Sequence, residues 1–166
     1  MRKLIWPVFF LLLLLVQGAA SVFLTGWLSC DLVLVGVYAA AITAGPHTGI
    51  FSGAFAGFLQ DALTVGVFGY HMLTRTPVGF LAGLTKEKVF KENFTYHICI
   101  VGLISVAERF GYWWLELYFS GFSWDLLESY CASGLGFVLG NMLAAYPILK
   151  LVDFIYAWIK EEDISY

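Results

Sequence analysis

Charge is scarce in this chain. Lysine and arginine number 9 and aspartate and glutamate 12 among 166 residues, 13% in all, where an ordinary soluble domain carries about 25%. So few ions cannot cover the water-facing surface of a domain this size, which excludes a soluble globular protein. The few cations form no basic face, which excludes nucleic-acid binding on electrostatic grounds. Cysteine is limited to three residues and histidine to three, too few for a disulfide framework. The histidines, at 47, 71 and 97, share no metal-ligand spacing. There is no Gly-rich phosphate loop, no His-Glu-x-x-His pair and no nucleophile elbow. The expectation is a protein without catalytic residues, cofactor or metal.

What the chain has in abundance is apolar length: 60% hydrophobic residues and a mean hydropathy of +0.82. The runs are too long for barrel strands of about ten residues and suit helices of about 20, enough to cross ~30 Å of hydrocarbon. The predicted fold is an all-α integral membrane protein, one domain over 1–166 with six transmembrane helices. The spans are placed at about 4–24, 28–44, 47–65, 67–84, 96–118 and 126–148. A cytoplasmic loop covers 85–95 and an amphipathic tail 149–166. Breaking signals fall between spans at Gly45-Pro46, at Gly66 and Gly69, and at Ser120-Gly121-Phe122-Ser123. The opening Met1-Arg2-Lys3, the leucine run and Ala19-Ala20-Ser21 also have the form of a signal peptide. The segment is read here as an uncleaved first helix.

Lysine and arginine set the orientation. Arg2 and Lys3 precede span one, Lys86, Lys88 and Lys91 follow span four, and Lys150 and Lys160 follow span six. Even numbers of spans separate these clusters, so all fall on one side, and both termini are expected in the cytoplasm. The opposite loops, near 21–27, 64–69 and 118–125, contain neither residue. Cys99 then lies at the inner end of span five, with Cys30 and Cys131 near outer ends. Isolated cysteines in apolar helices ordinarily pack as small hydrophobes, and no Cys30–Cys131 bridge is expected. Trp113, Trp114 and Trp124 fall near the outer boundary, where an aromatic belt belongs.

Glycine is placed with a period. Gly49, Gly53 and Gly57 recur every fourth residue and lead to Asp61, which keeps them on nearly one helix face. In water each would cost about 1 kcal/mol relative to alanine; in lipid the bare row admits a close helix neighbour. Ala132, Gly136, Gly140 and Ala144 repeat the spacing in span six, and Gly79 with Gly83 repeat it after Pro77. The expectation is a close-contact face on spans three and six, directed at another span or at a partner.

Asp61, Arg75, Glu108 and Arg109 are ionisable residues placed deep inside the spans. At ~1.5 Å per residue, Glu108 and Arg109 lie about 18–20 Å from the inner end of span five. Arg75 lies about 12–14 Å below the outer end of span four and Asp61 about 6–8 Å below that of span three. An unpaired charge near mid-bilayer costs at least about 2.5–3.5 kcal/mol, so these residues should pair or face water. Glu108 and Arg109 point about 100° apart and are poor partners for each other. The expected arrangement is a Glu108–Arg75 pair, with Asp61 taking Arg109 or a backbone donor. The plainer alternative has the arginines reaching outward and Asp61 capping the turn after span three.

Several of these features occur together in one known family. Asp31-Leu32-Val33-Leu34-Val35, Gly45-Pro46-His47, the row Gly49, Gly53, Gly57, Asp61 with Thr64 and Gly69, and Gly79-Phe80-Leu81-Ala82-Gly83 resemble the rod shape-determining protein MreD family over about residues 28–95. Cys30 stands where that family usually has proline, and Val65 precedes Gly66 where glycine usually follows directly. The resemblance implies a multi-pass protein of the bacterial inner membrane, in the cell-elongation machinery that builds peptidoglycan. It implies a fold similar to the substrate-binding S-components of energy-coupling-factor vitamin transporters. It also implies the scaffold protein MreC as partner and, through it, the peptidoglycan polymerase–transpeptidase pair and the MreB filament. Gly49, Gly53, Gly57, Asp61 and Gly69 match the family pattern and carry its expected structural or partner-binding role; Gly136 and Gly140 join them from spacing alone.

Two functions from different classes fit these residues. One is a non-enzymatic scaffold that holds partner transmembrane helices. The other is a small-molecule or lipid-binding subunit, with Asp61, Arg75, Glu108 and Arg109 lining an outward-opening cavity. An intramembrane enzyme would need paired acids or a nucleophile–base couple, and the spacing offers neither.

Overall fold

A computed structural model of the chain describes residues 5–23, 29–64, 67–86 and 93–164. The described residues form six α-helices: α1 (Ile5–Phe23), α2 (Leu32–Ala44), α3 (Pro46–Leu63), α4 (Tyr70–Leu84), α5 (Phe94–Ser120) and α6 (Trp124–Ile164). Each falls on one of the six predicted spans. Arg2, Lys3, Lys88 and Lys91, on which the orientation argument leaned, lie outside the described residues.

The molecule is built around α2. From Val33 to Thr43 every residue is buried, as expected of a helix that is apolar all round. It touches α1, α3, α4 and α6, while α5 packs on α6. Phe9, Phe10 and Leu13 of α1, Val101 of α5, and Ala145, Ile148, Leu149 and Val152 of α6 complete the core around its Ala39-Ala40-Ala41 stretch. The outer surface is the reverse of a soluble protein's. Phe51, Leu73 and Leu135 are each more than 70% exposed, while Arg75 is 0% exposed. Large apolar side chains turned outward over a polar interior suit a lipid solvent.

Two predicted spans are shorter than the sequence reading placed them. Helix α2 has 13 residues and α4 has 15, about 20 and 22 Å of rise against the ~30 Å of hydrocarbon. Helix α2 starts late because its cap, Asp31, is itself buried at 4% exposure and accepts from Leu34 N at 2.9 Å. The last helix is longer than expected, running unbroken through Pro147 for 41 residues. The segments within Phe94–Phe119 and Leu127–Ile159 are long and apolar enough to cross a membrane.

The glycine row has a definite neighbour. Helices α3 and α4 form an antiparallel hairpin whose backbones touch along its length. A Cβ built at Gly57 would lie 2.5 Å from Met72 Cα, and one at Gly53 would lie 2.8 Å from the Arg75 carbonyl carbon. One at Gly49 would lie 2.6 Å from the carbonyl carbon of Gly79, and Gly83 meets Pro46 at the far end. The face on span three is therefore filled by this chain's own span four. Gly140 packs against Ser29 and Cys30, so it too faces inward, and Gly136 is half-buried. Gly69 differs from the sequence expectation. It has φ 93° and open space where a Cβ would go, so it shapes the turn into α4 and makes no close contact.

Candidate functional site

The buried polar side chains converge on the start of α2. Asp31 Oδ1 caps that helix, and Asp31 Oδ2 accepts from Arg75 Nη2 of α4 and from Gln60 Nε2 of α3 at 3.3 Å. The Asp31 N–H donates to Asn141 Oδ1 of α6 at 2.6 Å, and Asn141 Nδ2 donates to Ser105 Oγ of α5 at 2.8 Å. Glu108 of α5 places Oε1 at 3.5 Å from Arg75 Nη2 and 3.8 Å from His71 Nδ1. Tyr70 OH donates to the Glu108 carbonyl at 2.6 Å. Five helices thus meet through one arginine, two carboxylates, two amides and two hydroxyls.

The expected Glu108–Arg75 pair is present at 3.5 Å, but Asp31 holds the guanidinium more closely. Sequence reading omitted Asp31 from the charged residues, although it stands near the start of span two as placed at 28–44. An acid immediately before an apolar run is an N-cap signature, and that signal could have found it. Asp31, His71 and Glu108 place ligand atoms within 4.8 Å of one another, a grouping able to hold a cation. The Arg75 guanidinium is the cation there. Removing one member of a buried pair leaves an uncompensated charge and costs about 3–5 kcal/mol, so this node fixes how the helices are arranged.

Asp61 and Arg109 do not belong to it, which corrects the four-residue cluster. Asp61 Oδ1 accepts from His71 N at 2.9 Å and Oδ2 from Met72 N at 3.0 Å. These are the free amides of the first turn of α4, whose own cap position is Gly69 without a side chain. Asp61 therefore supplies from α3 the cap that α4 lacks, with its negative charge at the positive end of the helix dipole. Of the two expected partners it takes the backbone donor. Arg109 follows Glu108 by 100° around α5 and so faces α6. Its Nη2 donates to Ser133 Oγ at 2.5 Å, and its guanidinium lies 4.4 Å from the Tyr130 ring centroid and 5.5 Å from that of Phe137.

Elsewhere, Tyr38 OH meets His97 Nδ1 at 2.9 Å and Thr43 Oγ1 donates to Asp153 Oδ1 at 3.2 Å. These contacts border a void of about 10 Å³, the size of one water. An apolar groove of about 680 Å³ runs between α1 and α3, lined by Trp6, Phe10, Phe51 and Phe55 with His47 and Thr48. The three cysteines are free. Cys30 lies against Gly140, and Cys131 is nine residues from Gly140, about 13 Å along α6, beyond disulfide reach.

A helical bundle with an apolar exterior, two helices of membrane-crossing length and a buried ionic node across five helices has the character of a membrane protein. The family model described as rod shape-determining protein MreD matches residues 1–143, and the chain belongs to that family. The match extends beyond the resemblance over residues 28–95, into α1, α5 and about the first half of α6. No curated protein and no solved structure matches the chain.

Proposed function

We propose that this rod shape-determining family member is a non-enzymatic scaffold of the bacterial cell-elongation machinery. In this reading it lies in the inner membrane with six spans and both ends inside. It holds MreC and, through it, the peptidoglycan polymerase–transpeptidase pair and the MreB filament. The observation that carries the reading is how the intramembrane polar groups are used. Asp31, Gln60, Arg75, Asn141 and Asp61 bind other parts of the same bundle, which suits a rigid platform better than a ligand chamber. The apolar groove between α1 and α3 and the exposed apolar faces of α5 and α6 offer surface for partner helices. A likeness to vitamin-transporter S-components would be one of architecture.

The test is affinity recovery of the tagged chain from bacterial membranes in mild detergent, probed for MreC. Recovery of MreC in stoichiometric amount supports the scaffold. A tightly held small molecule with MreC absent would favour the ligand-binding subunit instead.

A further inference from the structure

Arg109 is a second cation placed inside the helices. Among the described residues no carboxylate lies within ion-pairing distance of it. Its neighbour Glu108 faces Arg75, and Glu116, seven residues on, is about 10 Å farther along the helix. Its contacts are one hydroxyl and two ring faces. Three buried polar atoms along this α5–α6 seam have no hydrogen-bond partner: Arg109 Nε, Trp113 Nε1 and Tyr130 OH. Trp113 and Tyr130 are neighbours, with ring centroids 6.5 Å apart. Guanidinium and indole N–H groups only donate, and the phenol can donate. The seam therefore offers donors and a positive charge, and the group that satisfies it is an anionic acceptor.

Depth selects the source of that anion. Ser133 lies nine residues into α6 and Trp113 seven residues before the end of α5, about 14 and 10 Å below the helix ends. At 27 residues, α5 is about 40 Å long, close to the full ~40–45 Å of a bilayer with its headgroups. The helix ends then lie at headgroup level and the donors lie within hydrocarbon, below the lipid phosphates. A carboxylate at that depth comes from a transmembrane helix. A second copy of this chain does not supply it: Asp31, Asp61 and Glu108 are each at least nine-tenths buried within their own bundle, and Glu116, Asp125 and Glu128 lie within four residues of the helix ends, about 6 Å or less from headgroup level. The rims of the seam, Phe110, Trp114, Leu135 and Leu139, are exposed and apolar, as contact with a hydrophobic helix requires.

We propose that Arg109, with Trp113 and Tyr130, binds the carboxylate of an Asp or Glu in a transmembrane helix of a partner protein that packs along the α5–α6 seam. The inference rests on the scaffold reading, since it names the chemistry by which one partner helix is recognised. In lipid such a buried ion pair has no water to compete with it, and it selects a helix bearing one acid at the matching depth.

The full-length protein in phosphatidylcholine nanodiscs carries the test, with binding read by energy transfer to labelled transmembrane peptides. One leucine–alanine peptide of about 20 residues holds a single glutamate about 14 Å below its outer end; its twin holds glutamine. The glutamate peptide should bind at least about tenfold more tightly, roughly 1.4 kcal/mol, and Arg109→Gln should erase the difference. Tyr130→Phe removes a single donor and keeps the packed ring, and it should reduce the preference severalfold at unchanged melting temperature. Equal binding of the two peptides overturns the proposal, as does a preference that survives Arg109→Gln. Loss of the preference on adding phosphatidylglycerol also overturns it, by making the headgroup the ligand. If MreC is recovered equally by the wild type and Arg109→Gln while the peptides bind alike, this inference falls and the scaffold stands. If the wild type recovers no MreC, the scaffold itself falls.

Discussion

Replacing Gly53 by alanine tests the reasoning at its tightest point. The added Cβ would stand 2.8 Å from the Arg75 carbonyl carbon and 2.9 Å from Thr76 Cα, where ordinary contact begins near 3.4 Å. Both obstacles are backbone, so no rotamer change relieves them. Helices α3 and α4 must part by at least about 0.5 Å, and overpacking of this kind costs about 1–3 kcal/mol. The same shift moves Arg75 relative to Asp31, its partner across the bundle, so the cost should fall at the upper end. For a chain of this length that is a loss of about 3–10 °C in melting temperature. The assay is thermal unfolding of the purified protein in detergent, with Gly134→Ala as control. Gly134 is also a helix glycine but has nothing within 4 Å of its would-be Cβ, so alanine there should be neutral or slightly stabilising. If Gly53→Ala melts with the wild type, or if both variants lose the same amount, close α3–α4 packing is not what the glycine row does.

Further outcomes follow from the polar contacts. Asp31→Leu and Arg75→Leu should each cost about 3–5 kcal/mol, and the double substitution should cost clearly less than their sum, because it leaves no lone buried charge; chemical denaturation measures this, and strict additivity would refute the pairing. Exchanging the charges of Arg75 and Glu108 should fail to rescue either single change, because Asp31 fixes where the cation must sit; restored melting would show that Glu108 is the dominant partner. Asp61→Ala should remove the cap of α4 at a cost of about 1–2 kcal/mol, visible as faster hydrogen exchange at His71 and Met72; unchanged exchange there would contradict the cap. Oxidised and reduced protein should migrate alike on gels and titrate three thiols, and a mobility shift on reduction would contradict the distance between Cys30 and Cys131.

The lipid-facing class of this protein and its division into six helices were legible from composition and run length, because both depend on local transfer free energy. A span pays for its polar backbone by hydrogen-bonding within itself, so each helix can be recognised one at a time. The four-residue glycine period likewise announced a close helix contact. Pairing is a different matter. Whether Gly53 faces a partner protein or Arg75 of the same chain depends on α4 folding back against α3, and no periodicity encodes that choice. Glu108 and Arg109 are adjacent in sequence and lie at nearly one depth, yet 100° of rotation sends one to Arg75 and the other to the α5–α6 seam. Asp31 looked like the edge of an apolar run until the fold buried it among Arg75, Gln60 and Asn141. The sequence by itself determined that polar groups lie inside a membrane and must be satisfied there. Only the tertiary structure decided by whom, because a charge in low dielectric is stabilised by what approaches within a few ångströms, and that is set by helices far apart in the chain.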